Sequence, residues 1–96
     1  MALDPRDLDD LVAIARAGSL SAAAKKRGVA VSTISRRIEA LEANLRLRLI
    51  DRLAQGARLT AAGSEIAAAA EPLSAQIDRV RRVAEALQGE LAELPV

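Results

Sequence analysis

The segment from residue 30 to residue 45 constrains the fold more than any other stretch of the sequence. Its large apolar residues are separated by four, three and four positions, which places them on one stripe of an α-helix. These residues are Ile34, Ile38, Leu41 and Leu45. Their burial contributes roughly 6–12 kcal/mol before chain entropy is subtracted. The stripe therefore predicts a helix that packs on a core through one face and leaves the other face in solvent.

The opposite face of this helix is polar, with hydroxyl and guanidinium groups concentrated in its N-terminal half. Such groups hydrogen-bond to base edges and to phosphates, so the face is typical of a helix that reads DNA. The alternative is a solvated helix face that has no partner. Arg37 lies nearer the buried stripe, and we expect it to reach a phosphate. The candidate reading residues are Ser32, Thr33, Ser35 and Arg36.

A first helix is predicted to begin near Asp4 and Pro5, because aspartate is a favoured N-cap and proline fits the first helical turn. Gly18 is a suitable C-terminal stop for this helix. The helix would supply a second apolar surface for a small core. Its expected buried stripe is Leu8, Leu11, Val12 and Ala15.

A short alanine-rich helix is expected over residues 22–27, with Ser19 or Ser21 as its N-cap and Gly28 as its end. Its small side chains allow another helix to approach closely. A short turn that contains Gly28 joins it to the amphipathic helix, and two helices joined in this way form the helix-turn-helix pattern. The basic residues at the end of this helix are Lys25, Lys26 and Arg27.

Beyond Leu45 the spacing of apolar residues changes from helical to alternating. Residues 46–52 are predicted to form a short, half-buried strand, although residues 46–49 are also compatible with an extension of the helix. A turn over residues 53–57, which contains Gly56, leads to a returning strand over residues 58–60. Two short strands after a helix-turn-helix form a wing.

A long final helix is predicted from about Ala61, with Thr60 as its cap. Its apolar residues alternate in spacings of four and three, which indicates a narrow seam for a partner helix. We expect this seam to form a homodimer; the alternative is that it packs on the domain of the same chain. Pro72 is expected to kink the helix, and the tail from about Glu90 to fray. The predicted dimer-interface residues are Ile66, Ala70, Leu73, Ile77, Val80, Ala84 and Leu87.

The net charge of the chain is only +1, but the charges are unevenly distributed. Residues 21–60 carry nine cationic and three acidic side chains, whereas the segments before and after them are acidic. The basic charge therefore surrounds the amphipathic helix, as a polyanionic partner would require. A basic surface that is merely solvated is the alternative.

Composition argues against several classes of function. The chain has no cysteine and no histidine, so thiolate chemistry and the commonest general base and metal ligand are missing. We expect no catalytic residue, cofactor or metal site; the dense carboxylates near the N-terminus fit the helix dipole better than catalysis. No apolar run is long enough for a membrane span, and the acidic N-terminus does not resemble a signal peptide, so a cytoplasmic location is expected.

In its order of elements and in three motifs, the chain resembles the N-terminal domain of LysR-type transcriptional regulators. The supporting residues are LVAIARAGSLSAAAKKRGVAVSTISRRIEALEANLRLRLIDR, within which SRRIEALE lies in the amphipathic helix, followed by RLTAAG after the wing. The resemblance covers roughly residues 3–88. It implies a mainly α fold, in which a winged helix-turn-helix DNA-binding domain over residues 1–60 precedes a linker and dimerisation helix over residues 61–96.

The resemblance further implies that the amphipathic helix enters the major groove of double-stranded DNA and that the wing lies near the minor groove. Ser35 and Arg36 match the polar pair of the family, and Arg52 matches its arginine at the strand end. By position, the further candidates for DNA contact are Ser21, Lys25, Gln55 and Arg58.

Several positions depart from the family pattern. Ala30 and Val31 stand where the family usually has serine and glutamine, so Ser32 is the expected cap, and Val31 could contact a thymine methyl instead of an adenine edge. Arg46 replaces a glycine, so the helix is expected to end at Asn44 or to continue.

Two readings of function stay open beside sequence-specific regulation of transcription. One is a dimerising interaction protein that does not read DNA, and the other is a winged-helix regulator of another family. The large effector-binding domain of LysR-type proteins is not expected within these 96 residues, so no small-molecule effector is expected on this segment. The sequence is compatible both with a fragment of a longer regulator and with a short one.

Overall fold

The computed structural model describes residues 2–54 and 56–92. This part of the chain contains four helices and one two-stranded antiparallel sheet, and it confirms the predicted winged helix-turn-helix followed by a long helix. The elements in chain order are α1 (Pro5–Ala17), α2 (Leu20–Arg27), α3 (Val31–Leu45), β1 (Ile50–Leu53), β2 (Gly56–Leu59) and α4 (Ala61–Ala92).

Side-chain caps and glycines define the ends of the first two helices. The Asp4 carboxylate accepts a hydrogen bond from the Arg6 backbone N–H at 2.9 Å, and Gly18 ends α1 in the left-handed conformation with φ of 85°. Ser19 Oγ accepts from the Ala22 backbone N–H at 3.0 Å. Ser19 is therefore the cap of α2. The predicted start at residue 22 was wrong, because a cap at Ser19 admits Leu20 to the helix.

The N-terminus of α3 lacks a side-chain cap. Ala30 has extended backbone angles and no side-chain hydrogen bond to the helix, and Ser32 lies inside the first turn, so the predicted cap at Ser32 was wrong. At the other end, Arg46 adopts the left-handed conformation with φ of 58°, and its N–H bonds to the Glu42 carbonyl. The helix thus ends at Leu45, and Arg46 takes a left-handed conformation that glycine adopts more readily.

The wing is shorter than the alternating pattern predicts. Residues 46–48 form a turn and a connection, so the predicted strand over residues 46–52 was wrong in its first half. Two hydrogen bonds explain the difference, because the Glu42 carboxylate accepts from the Leu49 backbone N–H at 2.8 Å and from that of Ile50 at 3.3 Å. The observed strand pairs are Ile50 with Leu59, Asp51 with Arg58, Arg52 with Ala57 and Leu53 with Gly56.

The core lies between the first three helices, the start of the wing and the first turns of α4. The stripe predicted on α3 is buried in full. On α1, Ile14 is buried and Ala15 is exposed, so that part of the predicted stripe was wrong. The buried hydrophobic cluster consists of Leu11, Ile14, Leu20, Ala23, Ala24, Ile34, Ile38, Leu41, Leu45, Leu49, Ile50 and Ala67.

The first half of the long helix α4 packs on the domain, and the second half does not. Its first turns pack mainly on α1, with Gly63, Ala67 and Ser74 buried, and Ser74 Oγ donates to the Asp9 carboxylate at 2.9 Å. Thr60 Oγ1 accepts from the Gly63 backbone N–H at 2.9 Å, which confirms the predicted cap. From residue 79 to residue 92 every residue is exposed, so the second half of the helix projects from the domain.

The seam predicted on α4 is divided by this packing. Ala70 is buried and Ile66 packs against the core, so these two residues contact their own domain. Ile77 is half-buried. The remaining predicted seam residues are exposed: Leu73, Val80, Ala84 and Leu87. The helix is continuous through Pro72, and none of the helices in the described ranges is long and apolar enough to span a membrane.

The close approach of α4 to Leu49 generates a stability prediction. A Cβ added at Gly63 would overlap the Leu49 carbonyl oxygen, which belongs to the backbone and cannot turn away. We expect Gly63→Ala to lower the free energy of unfolding by about 1–3 kcal/mol, measured by urea denaturation with far-UV circular dichroism. Gly89→Ala is the matched control, because a Cβ at Gly89 meets open space; equal denaturation curves for the two variants would contradict the prediction.

Candidate nucleic-acid interface

The outward face of α3 presents the polar residues that the sequence singles out. Ser32 and Arg36 are exposed, whereas Thr33 and Ser35 are half-buried at the two flanks of the same face. The opposite stripe is packed against the core, with Ile34 and the rest of the stripe almost fully buried. The core therefore fixes the rotation of α3 about its own axis, and with it the direction of the polar face.

An open groove separates the N-terminal ends of α2 and α3 from the wing. Its volume is about 690 Å³, and it brings together four of the predicted contact residues. Val31 lies on the α3 side of the groove with 44% of its surface exposed, and Leu53 lies on the wing side with 49% exposed. The predicted contact residues on this groove are Ser21, Val31, Arg52 and Arg58.

One of the remaining candidates, Lys25, does not line this groove, whereas Arg58 does. Lys25 is exposed on α2. Arg58 is exposed on β2, opposite Asp51 in the strand pair. Gln55 lies outside the described residues. Outside α3, the exposed basic candidates therefore belong to α2 and to the wing.

Arg52 makes contacts within the protein that the sequence does not indicate. Its Nη2 donates to Ser35 Oγ at 2.5 Å and to Glu39 Oε1 at 3.1 Å. Arg52 thus joins β1 to the polar face of α3, and it holds one of the predicted reading residues.

Arg37 also has a partner inside the protein. Its Nη1 lies 3.7 Å from Asp10 Oδ2, and the Nε of Arg27 lies 2.9 Å from Asp10 Oδ1. These ion pairs tie α3 and α2 to α1. Arg37 is therefore turned toward α1, away from the face that presents Ser32 and Arg36.

Asp10 is a buried carboxylate that the sequence gives no reason to expect. The residue is 2% exposed, and its Oδ1 has no hydrogen bond of good geometry to any described residue, despite the nearby guanidinium groups. Burial raises the pKa of the Asp10 carboxyl above its ordinary value, against the opposing attraction of Arg27 and Arg37. Asp7, Asp9 and Asp10 are close in sequence, yet in the described ranges no three acidic side chains form a group that could hold a metal ion.

Comparison with known proteins gives one consistent result. A model of the bacterial regulatory helix-turn-helix proteins of the LysR family matches residues 5–64. A helix-turn-helix transcriptional regulator from the ibpB-leuC intergenic region of Azotobacter vinelandii is 33% identical over 90 residues, which are 94% of this chain and 62% of that protein. The regulator TfdT of Cupriavidus pinatubonensis is 37% identical over 93 residues, which are 96% of this chain and 41% of TfdT.

A solved structure agrees with these sequence comparisons. The crystal structure of the DNA complex of the CbnR DNA-binding domain superposes with a TM-score of 0.71 at 34% identity, covering 90% of this chain and 99% of that one. The chain thus corresponds to almost the whole of that domain. It spans less than two thirds of the length of the two relatives.

The burial of Asp10 predicts how acid affects stability. Because the pKa of Asp10 is higher in the folded state, its contribution to stability is largest below the unfolded pKa and is lost as the pH rises through the folded pKa. We expect the free energy of unfolding of Asp10→Asn to increase relative to that of wild type as the pH rises from about 3 to about 7. Urea denaturation at each pH measures it. Asp7→Asn on the exposed side of α1 is the control. The opposite slope would show that the two arginines outweigh burial.

Proposed function

Because the chain belongs to the LysR family of bacterial helix-turn-helix regulatory proteins, we propose that it binds double-stranded DNA and regulates transcription, with α3 in the major groove. The observation that carries the proposal is the polar face of α3, which is exposed while its apolar stripe is fixed in the core. A helix whose rotation is fixed presents the same side chains at every encounter. That constancy is what base-specific reading requires.

Within this proposal Arg36 carries most of the base discrimination. It is exposed at the centre of the polar face, and a guanidinium group can pair with the O6 and N7 acceptors of guanine through two hydrogen bonds. Ser32, Thr33 and Ser35 lie on the same face and can donate to, or accept from, base edges and phosphates. Val31 offers an apolar surface at the start of α3, which fits the methyl group of thymine.

Polar residues of α2 and of the wing are proposed to contact the DNA backbone on either side of the bases that α3 reads. Ser21 and Lys25 on α2 would meet phosphates at one edge of the major groove, and Arg58 on β2, with Gln55, would approach the adjacent minor groove. Arg37 is not among these proposed contacts, because its ion pair with Asp10 directs it toward α1.

A homodimer is part of the proposal, because α4 carries apolar side chains that its own domain leaves uncovered. Val80 is 60% exposed, Leu87 is 53% exposed and Leu91 is 67% exposed. A second copy of the helix packed along this seam would remove these side chains from water, at about 1.5–3 kcal/mol for each large side chain that is fully buried. Two copies joined through α4 would hold two α3 helices at a fixed separation.

Two alternatives are less well supported. Family membership argues against a winged-helix regulator of another family and against an enzyme, because the matched relatives are transcriptional regulators. An interaction protein that uses α4 without reading DNA would have no use for the exposed polar face of α3. A cytoplasmic location is part of the present proposal, since DNA is the proposed partner.

The role of α3 is tested by Arg36→Ala. On a duplex selected for binding, we expect a loss of about 1–3 kcal/mol in binding free energy and a relaxed base preference at one position, measured by fluorescence anisotropy. Affinity of the wild type should fall steeply with salt, because phosphate contacts release counterions. Arg82→Ala, which removes an exposed arginine from α4, is the control. Unchanged specificity in Arg36→Ala, or a wild type that binds no duplex at low salt, would reject the proposed reading helix.

The role of the α4 seam is tested by the double variant Val80→Asp/Leu87→Asp. Burial of two carboxylates between helices is unfavourable, so we expect sedimentation equilibrium to show monomers where the wild type forms dimers. Ala86→Asp is the matched control, because residue 86 is exposed on the same helix about half a turn away from the seam. Dimers that persist in the double variant would show that the interface lies elsewhere.

A further inference from the structure

Arg52, Ser35 and Glu39 form a cluster where the wing meets the polar face of α3. Ser35 and Glu39 lie four positions apart on α3, so their side chains are neighbours on one side of the helix. The Nη2 of Arg52 lies between them and donates to both, at 2.5 Å to Ser35 Oγ and at 3.1 Å to Glu39 Oε1. One guanidinium nitrogen therefore holds both side chains.

We propose that Arg52 is a positioning residue for DNA reading: it presents the Ser35 hydroxyl as a hydrogen-bond donor and neutralises Glu39, instead of binding a phosphate itself. This inference rests on the proposed function of α3. It changes the role that the sequence predicts for Arg52, and it adds Glu39, which the sequence does not include among the contact residues.

The hydrogen bond from Arg52 limits what Ser35 can recognise. A serine hydroxyl has one O–H donor and two acceptor lone pairs, whereas a guanidinium group only donates. Because Ser35 Oγ accepts from Arg52, one of its lone pairs is occupied and its O–H stays available for another partner. The remaining lone pair is a weaker acceptor, because the oxygen already accepts from a cation. In the major groove that O–H pairs with the acceptors of guanine, adenine and thymine, and it is mismatched with the amino donor of cytosine.

Without a counter-charge, Glu39 would oppose DNA binding, because it places a negative charge beside a polyanion. Its side chain is 62% exposed on the wing side of the polar face, whereas Glu42 is engaged with the backbone of the wing. Like charges that face each other across an interface weaken binding. An exposed ion pair contributes little to folding, so the effect of the contact between Arg52 and Glu39 falls mainly on DNA binding.

The competing account is that Arg52 leaves both partners and binds a phosphate. The two accounts differ in their dependence on Glu39. If Arg52 acts by neutralising Glu39, then removal of both charges should restore binding. If Arg52 binds a phosphate, the loss should remain, and the dependence of affinity on salt should decrease by about one phosphate contact.

The affinity test compares wild type, Arg52→Ala, Glu39→Gln and the double variant Arg52→Ala/Glu39→Gln on one selected duplex. We expect Arg52→Ala to weaken binding about tenfold, because Glu39 then faces the phosphates without a counter-charge. The double variant should recover to within about twofold of wild type, with an unchanged salt dependence. Far-UV circular dichroism melts establish that each variant is folded.

A charge-matched control separates local neutralisation from a change in net charge. Arg52→Ala/Glu85→Gln has the same net charge as the rescue variant, but Glu85 is exposed on α4, away from the cluster. We expect it to bind as weakly as Arg52→Ala. Recovery in this control, or no recovery in Arg52→Ala/Glu39→Gln, would overturn the inference.

Base preference supplies the second readout. Ser35→Ala identifies the base position that the hydroxyl reads, and we expect wild type to disfavour cytosine there. In Arg52→Ala/Glu39→Gln both lone pairs of Ser35 Oγ are free to accept, so affinity should recover while discrimination against cytosine decreases. Full retention of that discrimination would overturn the role of Arg52. A wild type that binds no duplex would instead reject the proposed function itself, and the inference with it.

Discussion

The backbone of Leu49 joins α3, the wing and α4 at one point. Its N–H donates to the Glu42 carboxylate on α3, and its carbonyl accepts from the Thr60 N–H at 2.9 Å. The same carbonyl lies against Gly63, so that α4 approaches as closely as a helix without a Cβ permits. Its side chain is fully buried in the core. The relative placement of the polar face, the wing and the long helix depends on this junction.

Several parts of this arrangement are predictable from the sequence because their causes are local. The α3 stripe, the caps at Asp4 and Thr60, and the left-handed ends at Gly18 and Gly28 follow from spacing and from the preferences of single residues. The strand at residues 46–49 fails for a non-local reason. Alternation favours a strand there, but the Glu42 carboxylate binds the backbone N–H groups of Leu49 and Ile50, and the strand begins only at Ile50.

In the candidate site, too, some features follow from the local sequence and others depend on how the elements pack. Exposure of Ser32 and Arg36 follows from helical spacing alone. The partners of Arg52 and Arg37 do not, because both arginines contact carboxylates on other elements, and such pairing depends on how the elements pack. A basic residue near a recognition helix is thus a poor guide to DNA contact when an acidic residue lies within reach. Asp10 and Glu39 pair with Arg37 and Arg52, two of the arginines that the sequence predicts to contact DNA.

Acidic residues therefore take part in the candidate site together with the basic ones. Asp10 ties α1 to α2 and α3 behind the polar face, while Glu39 pairs with Arg52 on the wing side of that face. The family pattern gives the general position of the reading helix. In the proposed function, the bases that this helix favours depend on the particular side chains of this chain, with Val31 at the start of α3 and Glu39 on its flank.

In the proposed function, α3 reads bases and α4 holds two copies of α3 at a fixed spacing. Selection of duplexes from random DNA by the wild-type protein, followed by sequencing of the bound fraction, tests both parts together. We expect enrichment of an inverted repeat whose half-sites lie about one or two helical turns apart. Retention of all sequences in proportion to their input would contradict it.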